Sequence, residues 1–425
     1  MIKTEAYNDS LQFLSLTKKN GVGVNTLYSM KPTNATGDFI WGRALDSYRL
    51  NASGVLESVA SGVPRIDYTN TCPELLIEGA RTNIDKQSQN LSNATWTKTT
   101  TTVSSTEVAP DGTSTAYSMS DTSAAAFQYF SQTITYTTSS VYTRSYYIKK
   151  ASSALTYWSG IDIVSGANYV RCIFNNYNGT YVTATGGTAV LVGVKVYDVN
   201  GYYRLCITYQ FVSGTSSTFY VYPALSSNGT STSVAAMGAN TFWGFQNELG
   251  YNATSYIPTT TASVTRPADI GYNSTIAYGL KGTIFIRARI FSSNYTKVDT
   301  LFSLTDGTLD DYITCSTNSS RSIFIETLGG GADLNAYNYS LASDGIYSIA
   351  IGYDFTGVNN NLNIVINGVL KRANSAQVNN PPTTLDRFDL GSLDGTLTQV
   401  DNRIIGQMYF ADQLSDTDLT ALTVQ

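Results

Sequence analysis

The feature that most constrains this chain is a two-residue rhythm, repeated in short runs over most of its length. Gly282-Thr283-Ile284-Phe285-Ile286-Arg287-Ala288-Arg289-Ile290 alternates cleanly, and Leu362-Asn363-Ile364-Val365-Ile366 follows suit. A period of two puts successive side chains on opposite faces of a strand. Between the runs lie clusters of Gly, Asn, Asp, Ser and Thr, which is the chemistry of turns. Asn367-Gly368 is a strong hairpin signal. One short helix is expected near the C-terminus, with Ser415 as N-cap and Asp418 three residues on. The expected fold class is therefore all-β, with two antiparallel β-sandwich domains behind an irregular N-terminal β region.

The joint between the sandwiches is the stretch from Phe242 to Ile270. Phe242-Trp243-Gly244-Phe245-Gln246 has the composition of a buried strand. Ile257-Pro258 and Arg266-Pro267 then bias the chain towards extended backbone. The segment reads as a last strand followed by an ordered linker. Upstream of it, residues 86–269 hold strand-like runs such as Val141 to Lys149, Tyr202 to Tyr209 and Thr218 to Tyr222. Downstream, residues 270–425 form the second sandwich and end on Arg403 to Phe410 and the short helix. Residues 1–85 contain apolar runs, Phe39-Ile40-Trp41 and Leu75-Leu76-Ile77, but too little chain for a core of their own. They are expected to serve attachment or oligomerisation, or to wrap the first sandwich.

Composition removes several function classes. The 425 residues carry no histidine, which excludes His-based triads and His zinc sites. Cys72, Cys172, Cys206 and Cys315 are far apart and form no C-x-x-C pair, so buried free thiols are expected. The net charge is −5 with no Lys/Arg run, which argues against a nucleic-acid partner. No apolar run is long enough for a membrane span, and the N-terminus lacks the apolar core of a secretory signal.

Two stretches carry a family likeness. One is W-x-F-Q-x-E-L-G, from Trp243 to Gly250, followed by A-T-S-Y-I-P-T and V-T-R-x-A-D. The other is Pro64-Arg65-Ile66-Asp67-Tyr68 with Leu75-Leu76-Ile77-Glu78-Gly79-Ala80-Arg81-Thr82-Asn83. Together they resemble segments of bacteriophage virion appendage proteins of the head-fibre and tail-fibre type. The first sandwich is similar to carbohydrate-binding modules of the jelly-roll type. The C-terminal strand and Leu414-Ser415-Asp416-Thr417-Asp418-Leu419 resemble the ending of laminin-G and concanavalin-A-like, lectin-like sandwiches. The resemblance implies a structural virion protein with a glycan-adhesive role in host attachment. It further implies assembly in the host cytoplasm, a place on the virion surface, other virion proteins as partners and a homotrimer.

Sugar binding calls for exposed aromatics that stack on pyranose rings. The candidates are Trp158, Tyr146, Tyr147, Tyr202 and Tyr203, since one residue of each Tyr-Tyr pair points outward. The alternative is a polysaccharide-degrading enzyme, which needs a carboxylate pair. Glu78 and Glu248 lie in the two family segments. They are expected to pair with Arg81 or Arg266, or to accept backbone N–H groups where the linker docks, so no catalytic residue is assigned. No cofactor is expected. Calcium is an option at the loop acids Asp306, Asp310, Asp311, Asp344 and Asp394, although turn chemistry explains such Asp-Gly pairs.

Overall fold

In a computed structural model the chain is almost entirely antiparallel strand, and the described residues are 9–15, 22–155, 157–226, 236–291, 299–317, 322–331, 334–357, 360–373, 378–393 and 402–424. The strands build two compact units. One unit comprises residues 50–57 and 81–266; the other comprises 1–49, 58–80 and 267–425. Both are β-sandwiches, as the alternation predicts.

The unit built from residues 50–57 and 81–266 packs two six-stranded sheets. The first sheet runs Thr97–Thr99, Tyr129–Thr135, Ser216–Ser226, Tyr157–Ser165, Asn168–Phe174, Tyr181–Gly186. The second runs Thr102–Glu107, Ala116–Asp121, Gly238–Leu249, Val141–Lys149, Tyr202–Gln210, Val190–Val199. Their facing sides meet in an aromatic core centred on Trp96. Its ring lies 5.6 Å from Phe130, 5.5 Å from Phe219 and 4.9 Å from Phe245. Edge-on pairs at these spacings each add about 0.5–1.5 kcal/mol to the burial itself. Within that core Arg144 is bound bidentately by Asp85, at 2.7 and 3.0 Å, and both side chains are fully buried. Its guanidinium lies 3.4 Å from the centre of the Phe219 ring.

The strand Gly238–Leu249 is buried on both faces. Phe242 and Phe245 enter the core, while Trp243 turns to the other side, where Tyr147 and Tyr256 pack on it at 5.2 and 4.5 Å. The second face is covered because the chain after Gly250 folds back over it. Glu248 accepts the Thr254 N–H at 2.9 Å, and Gln246 accepts the Ile257 N–H at 2.6 Å. Docked in this way, the extended stretch before Pro258 is part of the sandwich.

In the other unit a nine-stranded sheet runs Val22–Gly23, Thr26–Leu27, Phe39–Gly42, Ile270–Asn273, Arg387–Leu390, Asp299–Thr305, Tyr312–Thr317, Ser322–Leu328, Asn335–Ser340. It shares a core with an eight-stranded sheet. There Asn402–Phe410 is flanked by Lys281–Ile290 on one side and by Gln12–Ser15 and Glu74–Ile77 on the other. The helix Asp416–Thr423 is capped by Ser415, whose side chain accepts the Asp418 N–H, as expected.

The division expected for residues 1–85 differs from this arrangement. Phe39–Gly42, Arg65–Asp67 and Glu74–Ile77 are sheet strands of the unit that contains residues 267–425, and Trp41, Leu75 and Ile77 lie in its core. Phe39–Gly42 pairs with Ile270–Asn273 and Glu74–Ile77 with Asn402–Phe410, hundreds of residues away in sequence, pairings that alternation within a run does not encode.

A buried ionic chain holds this arrangement together. Asp269 takes Arg43 at 3.0 Å and also Arg65; Arg65 in turn takes Glu78 at 2.7 Å, and all four side chains are buried. Glu78 therefore pairs with Arg65, an arginine to which the sequence reading did not point. The charged residues of the family segments are in this way given over to the fold.

Cys172, Cys206 and Cys315 are buried and in no disulfide, and Cys72 is exposed and likewise unbridged. Burial pushes the Cys172 thiol up to about 12, which leaves it protonated and inert.

Candidate functional site

Of the aromatics expected to meet sugar, only Trp158 stands on an open face. Tyr146 is fully buried and stacks on Phe245 at 5.0 Å. Tyr147 points the opposite way, as the alternation requires, yet it is buried under Trp243 and Tyr256. Tyr202 is buried and donates to the Val108 carbonyl at 2.6 Å. Tyr203 is half-buried against Phe174, with the Lys150 ammonium 4.8 Å above its ring. The Tyr-Tyr argument fails because the backs of these strands are covered by the chain itself.

The open aromatic face belongs to the other sheet of the same sandwich. In Ser216–Ser226, Phe219 and Val221 enter the core and Tyr220 and Tyr222 point away from it; Tyr220 is half-buried, and Tyr222, at 8% exposure, forms the floor of the outer cluster. Tyr129, on the neighbouring strand, lies edge-on to both, at 5.1 Å from Tyr220 and 5.7 Å from Tyr222. Phe127, 37% exposed, lies 6.4 Å from Tyr222. Trp158, half-buried, packs on the same outer cluster as Ile173 and Leu225. A Cβ on Gly160 would run into the Leu225 Cδ1 methyl, so a larger residue there requires that side chain to shift.

The next cross-strand row is polar. Register places Ser131, Tyr220, Asp162, Arg171 and Ala184 side by side. Arg171 grips Asp162 bidentately at 2.7 and 2.9 Å, and this hydrogen bonding holds the guanidinium above its ordinary pKa. The fork is planar and only partly exposed, beside the Tyr169 ring 5.0 Å away.

This face runs into a cleft of about 570 Å³ where the edge strand Thr97–Thr99 stops. Thr97, Ser131, Thr133, Thr135 and Thr95 line it with hydroxyls, and Lys86 adds an ammonium. Among the described residues no carboxylate lines it. The volume is that of a small-molecule site. Hydroxyls both donate and accept, so the cleft offers hydrogen bonds of either sense to a polar ligand.

The signal for this face was present in the sequence. Thr218-Phe219-Tyr220-Val221-Tyr222 alternates core and outer residues, and Phe127-Gln128-Tyr129-Phe130 does so on the adjacent strand. Which outer faces stay open depends on where the loops run, and alternation is silent on that.

Loop acids were the calcium option. Asp311 is buried and accepts the Gly330, Thr383 and Thr384 N–H groups and the Thr383 hydroxyl. Burial alone would raise its pKa, but these hydrogen bonds outweigh it and hold the carboxylate below its usual range. Asp306 accepts from Thr308 within its own turn. Among the described residues no three acids, cysteines or histidines converge on a metal position. Asp394 lies outside the described residues.

No protein-family model matches the chain, and no curated protein matches it. Among solved structures, the chain is similar to the CBM40 module of the Ruminococcus gnavus IT-sialidase, at 22% identity over 34% of this chain and 84% of that one, with a TM-score of 0.29. It is also similar to the receptor-binding domain of botulinum neurotoxin type G, at 17% identity over 36% and 38% of the two chains, TM-score 0.29. A third likeness is to the SAP-like pentraxin of Limulus polyphemus, at 10% identity over 33% and 68%, TM-score 0.25. At these scores the likenesses carry no argument about function. The β-sandwich architecture stands on strand order and register.

Proposed function

We propose that this protein is a non-enzymatic glycan adhesin, and that the outer face carrying Tyr129, Tyr220 and Trp158 is where sugar binds. The observation that carries the reading is the continuity of that aromatic face with a hydroxyl-lined cleft. Pyranose rings have an apolar face and a polar rim, and an aromatic platform beside hydroxyl groups answers both. The cleft, which carries Lys86 and no carboxylate among the described residues, favours uncharged or acidic sugars.

Adhesion is preferred to hydrolysis because the two candidate acids are occupied. Glu78 is held by Arg65, and Glu248 by the Thr254 N–H, the Thr254 hydroxyl and Gln246. Neither lies on the aromatic face. The virion setting is proposed on the resemblance of the two sequence segments alone. In it the protein is a head- or tail-fibre component on the particle surface, trimeric, and bound to other virion proteins and to host-surface glycans.

Retention on immobilised bacterial capsular polysaccharide and O-antigen tests the adhesive reading. The wild-type chain is expected to be retained, and Tyr220→Ala to weaken retention at least ~10-fold, about 1.4 kcal/mol. Retention that is equal for the two chains, with the variant folded, contradicts it. Reducing ends released by the wild-type chain would move hydrolysis ahead of adhesion.

A further inference from the structure

The sandwich of residues 50–57 and 81–266 has two rims, and they are built differently. At one rim the edge strands are short or broken. Thr97–Thr99 is three residues long and carries Lys98. Thr102–Glu107 is interrupted between Val103 and Thr106 and ends on Glu107, which pairs with Lys149. Shortness, irregularity and charge keep sheet edges from pairing with other chains. At the other rim the edge strands are Tyr181–Gly186 in the first sheet and Val190–Val199 in the second, joined by residues 187–189. No residue from Cys172 to Val194 is charged, and none is a proline.

Tyr181–Gly186 is the open strand of this rim. It pairs with Asn168–Phe174 without a register break, and among the described residues it has no strand on its other side. Tyr181 is exposed, as are Tyr177 before it and Val190 and Val192 after it. Register fixes the two faces of the strand. Tyr181, Thr183 and Thr185 stand beside Phe174, Cys172 and Val170 on the core side, and Val182 and Ala184 stand beside Ile173 and Arg171 on the outer side. An unbroken, uncharged edge with this composition is a template for another strand.

We propose that this edge is an interface between two copies of the chain, which pair antiparallel through Tyr181–Gly186 about a two-fold axis at Thr183. The strand suits a copy of itself. In that register Thr183 meets Thr183 of the partner subunit, Val182 faces the partner's Ala184, and Tyr181 faces the partner's Thr185, so large residues oppose small ones. Each residue keeps its face, since directly opposed side chains lie on one side of a sheet. Threonines opposed across strands already hydrogen-bond within this chain, at 2.7 Å for Thr133 and Thr218 and 3.0 Å for Thr143 and Thr208. A two-fold axis sets each charge at the seam against its own kind, and this strand carries none. The first sheet then continues across the seam as a sheet of twelve strands. One consequence rests on the sugar-binding reading: two aromatic faces lie on the same side of that sheet, their Tyr220 strands roughly 34 Å apart. Such a pair holds a polysaccharide at two points.

Mass measurement on the full chain at micromolar concentration tests the pairing. The wild-type chain is expected as an even number of copies. Thr183→Lys and Thr183→Glu set like charges across the axis, and each should halve the mass, from two copies to one, or from six to three where the trimer also forms. An equimolar mixture of the two variants should restore it, because lysine then meets glutamate. Tyr220→Ala should leave the mass unchanged, so the adhesive reading can fail without this one. Should neither Thr183 variant fold, hydrogen exchange of the wild-type chain decides: consecutive amides of 181–186 should be protected, whereas a strand with one neighbour protects alternate ones. The proposal is overturned if the wild-type chain is a monomer or a lone trimer, or if both folded variants keep the wild-type mass. It is equally overturned if the mixture stays at the halved mass, or if only alternate amides of 181–186 are protected.

Discussion

At the scale of the residue, the sharpest distinction is between charges that hold the fold and side chains that meet a ligand. Arg144 and Asp85 are fully buried partners inside an aromatic core. Removing one partner strands the other in a medium that cannot solvate it. Asp85→Asn is expected to lower unfolding free energy by about 3–5 kcal/mol in a urea titration. The half-exposed pair of Lys149 and Glu107 is expected to contribute only about 0–1 kcal/mol. The sequence did mark its important acids: Glu78 and Glu248 stand in the two family segments, and both are buried in structural contacts. It did not mark their partners. Arg65 lies thirteen residues from Glu78, and Asp269 is brought to Arg65 from much further along the chain. The aromatics illustrate the same limit. Alternation predicts that Tyr146 and Tyr147 point opposite ways, which they do. It has no means of seeing that Tyr256 and Trp243 close over Tyr147.

At the scale of the element, strands were legible and their neighbours were not. Lys281–Ile290 and Tyr312–Thr317 fall where the apolar alternation puts them, and the hairpin turns at Asn367-Gly368 as expected. Loops are tied down by single residues whose role shows only in three dimensions. Asp311 binds the turn at Gly330 and the segment at Thr383-Thr384. Its carboxylate has a folded pKa below the unfolded one. The stability it contributes is therefore fully present above the unfolded value near pH 4 and is lost as pH falls through the folded value. Melting curves of the wild-type chain and Asp311→Asn should differ at pH 6 and converge as pH drops below about 4. A gap that stays constant down to pH 2 would contradict the assignment.

At the scale of the whole molecule, the chain passes between its two units at 49/50, 57/58, 80/81 and 266/267. Residues 81–266 hold both six-stranded sheets. Residues 267–425 alone lack Leu14, Trp41, Leu75 and Ile77, which belong to the core of their unit. Expressed separately, the 81–266 fragment is expected to unfold cooperatively. The 267–425 fragment is expected to be insoluble or to lack a cooperative transition, and a well-folded 267–425 fragment would contradict the strand order of that unit. The same burial of Trp41, Leu75 and Ile77 removes the need for sister chains to cover them, so the proposed trimer rests on family resemblance.

The four tryptophans of the full chain offer a direct probe of the aromatic face. Trp41, Trp96 and Trp243 are buried to within 1%. Trp158 is half-buried on the proposed sugar-binding surface. Intrinsic fluorescence should be followed while the chain is titrated with oligosaccharides released from capsular polysaccharide and O-antigen. Sugar stacking at this face predicts a saturable change in emission that disappears in Trp158→Phe, while the remaining fluorescence and the melting temperature are kept. A saturable change that persists in Trp158→Phe, or no change with any oligosaccharide, would contradict glycan binding at this face.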